Sequence, residues 1–326
     1  MLRRMVPRQV MFMSVMSITR IWDFAPHNAF TDLIDYKQTL FCTFREADEH
    51  AGGIDGTIRI LMSSDGVTWK PAAHITKKGI DLRDPKLSIT PNGQLMLSMG
   101  GTIYREGISH GTNSYVTFSD DGVTWNELAK ADMPYGWIWG VSWGDREGFG
   151  GAYQLTDPSD TEKPWILTLV KTLNGVDYEK VTTLDIPDFP SETTLRILPD
   201  QTMIALVRRH GNGWIGTSTP PYTEWKWSDS GTRLGGPNFI VLPTGQLWAA
   251  SRLYVKEKDG MHTYMAVGRM DRKTYAPEIV LPSGGDTGYP GMVFRDGILY
   301  VSYYSSHEGK SSIYLAKIQP HPSSPE

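Results

Sequence analysis

The segments SSDGVTW at residues 63–69 and SDDGVTW at residues 119–125 are nearly the same seven-residue turn, and their recurrence decides how the chain is read. The turn has a mechanical logic. The Ser63 and Asp65 side chains are short enough to fold back and hydrogen-bond backbone groups of the turn. Gly66 supplies a backbone conformation that a side chain opposes. Trp69 pins the turn to the sheet behind it. None of this needs a ligand, so the turns are read as structural. TLNGVDY at 172–178 keeps the frame with softened residues, TSTPPYTEW at 217–225 distorts it, and RMDRKTY at 269–275 is a faint fifth copy. Successive copies start 45 to 56 residues apart, so the 326 residues hold about six units.

A second repeat interleaves with the first. LSITPNGQLMLSM (87–99), LRILPDQTMIALV (195–207), FIVLPTGQLWAAS (239–251) and MVFRDGILYVSYY (292–304) each place a tight polar turn between two apolar runs. LIDYKQTLFCTF (33–44) and WIWGVSWGDREGFGGAY (137–153) fill the remaining slots. These are β-hairpins, and no window sustains a helical period. Two hairpins per unit and six units predict an all-β, six-bladed β-propeller. SITRIWDF (17–24) is expected to complete the blade that ends at SSIYLAKI (311–318), which removes the free sheet edges. The expected organisation is a flexible segment over 1–19, one propeller domain over 20–318 and a flexible tail over 319–326.

Composition supports this reading and narrows function. The chain carries 33 glycines, 21 prolines, 11 tryptophans and 15 tyrosines, the profile of a turn-rich β protein. Its 32 basic and 36 acidic residues give a net charge of −4, which speaks against a broad nucleic-acid binder. No apolar run approaches the ~20 residues of a membrane-spanning helix. Cys42, the single cysteine, excludes an internal disulfide framework and a cysteine-built zinc site. The apolar patch near the N-terminus is broken by Pro7, Arg8 and Gln9 and lacks a small-residue cleavage site. Those features favour the cytoplasm, with a secreted or periplasmic location left open.

Aligning the hairpins on their turns brings residues to one end of the propeller. The first strands begin near Asn28 and Asp32, Arg83 and Asp84, Trp139, Glu192, Asn238 and Tyr289. The second strands return near Arg45, Gly100, Tyr153, Arg208, Arg252 and Tyr304. Three arginines in register, Arg45, Arg208 and Arg252, suit a carboxylate or a phosphate, because the guanidinium fork binds either in a bidentate manner. Eight histidines include no metal-binding pair at helical spacing, and no metal or cofactor is expected. His50, His210 and His307 follow second strands and fall near the mouth.

SSDGVTW and SDDGVTW resemble the Asp-box of the sialidase superfamily, whose fold is a six-bladed propeller. The resemblance implies a tyrosine nucleophile deprotonated by a glutamate, three arginines on the substrate carboxylate, and an aspartate as acid and base. Carried over residue by residue, it puts the nucleophile at Tyr289 in GGDTGYPGMV and the base at Glu192. Arg208, sixteen residues after Glu192, and Arg252 resemble the second and third arginines. The first-blade Arg-Ile-Pro motif is missing, since HNAFTDL (27–33) stands there, and Arg45 is its candidate substitute. The acid is sought among Asp48, Glu49 and His50 in READEHAGGID (45–55) and at Asp84 in LRDPKL (82–87). Arg83, Asn238 and Trp139 complete the expected substrate contacts.

The expected function is an exo-acting retaining glycosidase that releases a terminal acidic sugar, sialic acid or a related nonulosonic or ulosonic acid. The expected partner is an acidic glycan, with no nucleic acid and no membrane. Two other readings compete. One is a lyase or hydrolase acting on uronic-acid glycans, with the arginines neutralising the carboxylate. The other is a non-catalytic carbohydrate-binding propeller.

Overall fold

The computed structural model describes residues 11–53, 55–154 and 165–322. Among them there are only strands, turns and loops, with no helix long and apolar enough to cross a membrane. The repeated turns are built by side-chain capping. Ser63 Oγ accepts from Gly66 N at 2.9 Å, and Asp65 Oδ1 accepts from Val67 N and Thr68 N at 2.8 Å each. Ser119 and Asp121 repeat the arrangement around Gly122. Thr172 and Asn174 reproduce it in the softened third copy, and Asp271 caps the fifth. The distorted fourth copy puts Tyr222, at φ 65°, in the left-handed position that glycine holds elsewhere.

Each turn joins the two outer strands of an antiparallel sheet. The first blade comprises His27–Tyr36, Thr39–Ala47, Thr57–Ser63 and Lys70–Ile75. The second comprises Asp81–Ile89, Leu95–Arg105, Ile108–Ser119 and Ala129–Lys130. In the third, the inner strand is split into Trp137–Ile138 and Ser142–Trp143 around Gly140, followed by Gly148–Gln154, Ile166–Thr172 and Tyr178–Leu184. The fourth runs through Thr193–Ile197, Met203–Val207, Asn212–Ser218 and Lys226–Arg233. The fifth contains Asn238–Val241, Leu247–Glu257, Gly260–Met270 and Tyr275–Leu281. The sixth holds Thr287–Arg295, Ile298–Ser305 and Ser312–Pro322, with Met11–Trp22 as its outermost strand.

The chain is therefore an all-β, six-bladed propeller. The first inner strand packs against those of the second and sixth blades, and apolar side chains fill the seams between sheets. Closure goes further than the sequence suggested. Met11–Trp22 pairs along its whole length with the last strand, from Met11 opposite Pro322 to Trp22 opposite Ile313. Residues 11–19 and 319–322, expected in flexible ends, belong instead to this ladder, because a long edge strand stays paired where its partner is equally long.

Three inner strands carry the same irregularity. Their pairing registers break between Ala29 and Asp32, between Arg83 and Lys86, and between Gly288 and Gly291. At each break one side-chain-bearing residue takes a left-handed backbone: Phe30 (φ 61°), Asp84 (φ 50°) and Tyr289 (φ 52°). Bulges re-aim side chains next to functional sites. Thr31 Oγ1 ties two of them together, donating to the Tyr289 carbonyl at 2.7 Å.

Candidate active site

Tyr289, Glu192 and Arg208 meet at the bulge of the sixth blade. The Tyr289 hydroxyl donates to Glu192 Oε1 at 2.7 Å. Arg208 Nη1 donates to the same oxygen at 2.5 Å and lies 3.4 Å from the tyrosine hydroxyl. Glu192 and Arg208 stand opposite each other because the Arg208 amide donates to the Glu192 carbonyl across the hairpin of the fourth blade. Glu192 Oε2 accepts from Gly236 N at 2.8 Å. Gly236 sits at φ 57°, and a Cβ there would press on the Tyr289 ring at 2.8 Å. A glycine is required at that point for the tyrosine to pack.

Burial penalises the Glu192 charge most, yet Arg208 and the three hydrogen bonds outweigh it and hold the carboxyl below its usual range. Burial, reinforced by the Glu192 charge, pushes the Tyr289 phenol well above its ordinary value. In the resting site the proton therefore stays on the tyrosine and the glutamate is ionised.

Two more arginines face this pair. Arg252 Nε donates to the Thr287 carbonyl at 2.7 Å and Nη2 to the Tyr304 hydroxyl at 3.1 Å, which leaves its guanidinium 5.7 Å from the centre of the Tyr289 ring. The Arg83 guanidinium lies 5.1 Å from the Phe30 ring and 5.9 Å from that of Trp137, while Nε contacts Asp84 Oδ2 at 3.2 Å. Asp84 is buried, and among the described residues its Oδ1 has no hydrogen-bond partner. Burial raises its pKa against the opposing pull of Arg83, and the Glu192 charge raises it further. The site thus holds one ionised carboxylate and one carboxyl biased toward its protonated form.

Several expected residues do other work. Arg45 does not replace the missing first-blade arginine. It is fully buried, with Nε and Nη2 each 2.8 Å from Asp81 Oδ1 and Nη1 donating to the Glu49 carbonyl at 2.8 Å. Its fork is spent on Asp81 and on the loop that carries His50. Asn238 is no substrate contact either: Nδ2 donates to the Pro290 carbonyl and Oδ1 accepts from Arg196, both at 2.9 Å, in a cavity that Asp32 and Lys86 also line. Trp139 is buried 5.6 Å from the Tyr289 ring and forms its support. The more open Trp137, stacked on Tyr153 at 5.7 Å, is the tryptophan beside Arg83. Asp48 lies against Gly53 of its own loop. His50 is half exposed at the mouth, its ring 5.0 Å from that of Phe30.

Phe30 occupies in the first blade the position that Asp84 and Tyr289 occupy in theirs, and the Arg83 guanidinium reaches across to its ring. Sequence reading passed over Asp286, His27, Tyr304 and Gly236 as site residues. Asp286, three residues before Tyr289 in a glycine-rich stretch, left a local signal, and hairpin alignment put Tyr304 at the same end; Gly236 is brought in from the neighbouring blade and His27 by chain closure.

No family model matches the sequence, and no curated protein does. Solved structures do match. A protein of unknown function from Dyadobacter fermentans superposes with a TM-score of 0.78 at 17% identity, over 95% of this chain and 99% of that one. The α-L-arabinofuranosidase Arb93A of Fusarium graminearum gives 0.68 at 16% identity over 94% and 98%. The sialidase of Trypanosoma rangeli gives 0.66 at 11% identity over 90% of this chain and 55% of that one, so this chain spans about half of that enzyme. At these identities the likeness establishes the fold, a sialidase-like propeller.

Proposed function

We propose that the protein is a retaining glycoside hydrolase that releases a terminal acidic sugar. The Tyr289–Glu192–Arg208 constellation carries the reading: a phenol within 2.7 Å of an ionised, arginine-held carboxylate is a nucleophile next to its base, which simple binding does not need. The Tyr289 oxygen attacks the anomeric carbon as its proton passes to Glu192. Asp84 gives a proton to the departing glycosidic oxygen. Water then enters, Asp84 takes its proton, and the glycosyl–tyrosine bond breaks with the proton returned from Glu192 to the phenol. A neutral phenol avoids setting a bare carboxylate against an anionic sugar, and tyrosine nucleophiles are a known variant of retaining hydrolysis. Arg83, Arg208 and Arg252 face the same space and suit the sugar carboxylate. Both the arabinofuranosidase and the sialidase among the structural neighbours are named as glycosidases, which supports the reaction class.

The test is a panel of fluorogenic glycosides of N-acetylneuraminic acid, its deaminated analogue, Kdo and glucuronic acid, run on the wild type and Tyr289→Phe. The expected result is release from one of them, falling at least about a thousandfold in the variant. An unsaturated product would mean elimination, and turnover unaffected by Tyr289→Phe would refute the assignment.

A further inference from the structure

Beside the nucleophile, three residues from distant parts of the chain converge on the rim of the channel. His27 opens the first inner strand, His50 lies on the loop held by Arg45, and Asp286 immediately precedes the sixth inner strand. One ligand atom from each falls within 4.8 Å of the other two. His27 Nε2 is 2.9 Å from Asp286 Oδ2, and His50 Nδ1 is 3.8 Å from Asp286 Oδ1. The two contacts are made by different oxygens of the carboxylate, one shorter and one longer than the roughly 3.4 Å between neighbouring ligands on a tetrahedral zinc ion with bonds near 2.1 Å, so small side-chain shifts would seat an ion among them.

The surroundings hold the carboxylate on one side of the cluster and open to solvent on the other. Among the described residues His27 Nδ1 is buried without a hydrogen-bond partner, and the ring's polar contact is with Asp286. The Asp286 carboxylate is oriented from behind by the Tyr304 hydroxyl, which donates to Oδ1 at 2.9 Å. Outer hydrogen bonds of this kind fix ligating carboxylates. Arg252 donates to Tyr304, so the phenol stands between the guanidinium and the carboxylate. On the other side the cluster opens to solvent: the His50 side chain is 51% exposed and that of Asp286 36%. An ion there keeps coordination positions free. Phe30, in the HNAFTDL segment that lacks an arginine, packs against both histidine rings at 6.3 and 5.0 Å.

We propose that His27, His50 and Asp286 form a site for a borderline divalent cation of the zinc class, whose open positions take oxygen atoms of the bound sugar. Two imidazoles and one carboxylate select such an ion over calcium or magnesium. The ion adds a positive charge beside Phe30, next to that of Arg83, whose guanidinium lies 5.1 Å from the same ring. The sugar contact rests on the glycosidase reading, whereas the metal site does not.

The experiment strips the purified protein with a chelator, dialyses it against zinc chloride and measures bound metal by mass spectrometry and calorimetry. Cobalt(II) absorbance reports coordination in parallel. One zinc per chain is expected, with affinity reduced about a hundredfold in His50→Ala and Asp286→Asn and about tenfold in Tyr304→Phe, whose hydroxyl is an outer contact only. Because His50 is half exposed, His50→Ala should keep the wild-type melting temperature in the stripped state, which separates lost binding from lost folding. Failure of the wild type to take up zinc, or equal uptake by both ligand variants, overturns the site. Uptake of one zinc with no turnover on any glycoside leaves the metal site standing and sinks the glycosidase reading. Turnover unchanged by stripping, in a protein that binds zinc, overturns the sugar contact.

Discussion

At the scale of single residues, the site works by pushing two carboxyl groups apart. Glu192 is held low by Arg208 and its hydrogen bonds, and Asp84 is held high by burial. An enzyme that needs the first ionised and the second protonated has a bell-shaped pH profile. Its acid limb lies below the usual carboxylate range and its alkaline limb above it. Asp84→Asn should abolish the alkaline limb. The same change should cut turnover by about a hundredfold or more on sugars with poor leaving groups, and far less on activated aryl glycosides that need no proton. Equal losses on both kinds of substrate would remove Asp84 from the acid role. Stability follows the same group with a definite sign. The folded protein binds the Asp84 proton more tightly than the unfolded chain. The stabilisation this gives is fully present below the ordinary carboxyl pKa of about 3.9 and is lost as pH rises through the folded value. Asp84→Asn, whose amide does not titrate, should flatten that segment of a melting-temperature-against-pH curve.

At the scale of the element, the capped turns are the most local feature of the fold, and for that reason they were legible in the sequence. Ser63 and Asp65 need only their own neighbours to build a turn. Gly122 adds a tertiary demand: at φ 77° a Cβ would meet the Phe41 ring of the preceding blade at 2.4 Å. Gly122→Ala should therefore destabilise the protein by about 2–4 kcal/mol, the cost of left-handed backbone plus overpacking, measured by urea unfolding. An effect under about 0.5 kcal/mol would mean that the blades slide to accommodate it. The bulged inner strands were not legible in the same way. Phe30, Asp84 and Tyr289 take left-handed backbone with no glycine at those positions, because neighbouring blades over-determine them; no local propensity reports it. Hairpin alignment put Tyr289 opposite Glu192 and Arg208 correctly, since all three sit at equivalent strand ends. It misplaced Arg45, whose register is equivalent but whose side chain turns into the blade toward Asp81. Register fixes where a residue stands along a strand, while the partner it finds in the next blade decides which way it points.

At the scale of the whole molecule, function depends on ring closure. His27 and Asp286 are 259 residues apart in sequence and 2.9 Å apart in space, and Thr31 reaches the Tyr289 backbone across the same seam. No window of sequence holds that proximity; it exists because the last sheet is completed by the first strand. Met11–Trp22 pairs with Ser312–Pro322, the outermost contact of the sixth blade, and that blade carries Tyr289 on its inner strand. The outermost strand lies three strands from Tyr289, so its loss should act on closure before it acts on chemistry. Removing residues 1–22 leaves the ladder of the last strand open, a free edge that invites pairing with other chains. The truncated protein should melt at a lower temperature and form larger species on size-exclusion chromatography, while the fraction that stays folded keeps Tyr289-dependent chemistry at assay temperatures well below its transition. A truncated protein that stays monomeric with an unchanged melting temperature would show that the other three strands of the blade hold the ring without the seam.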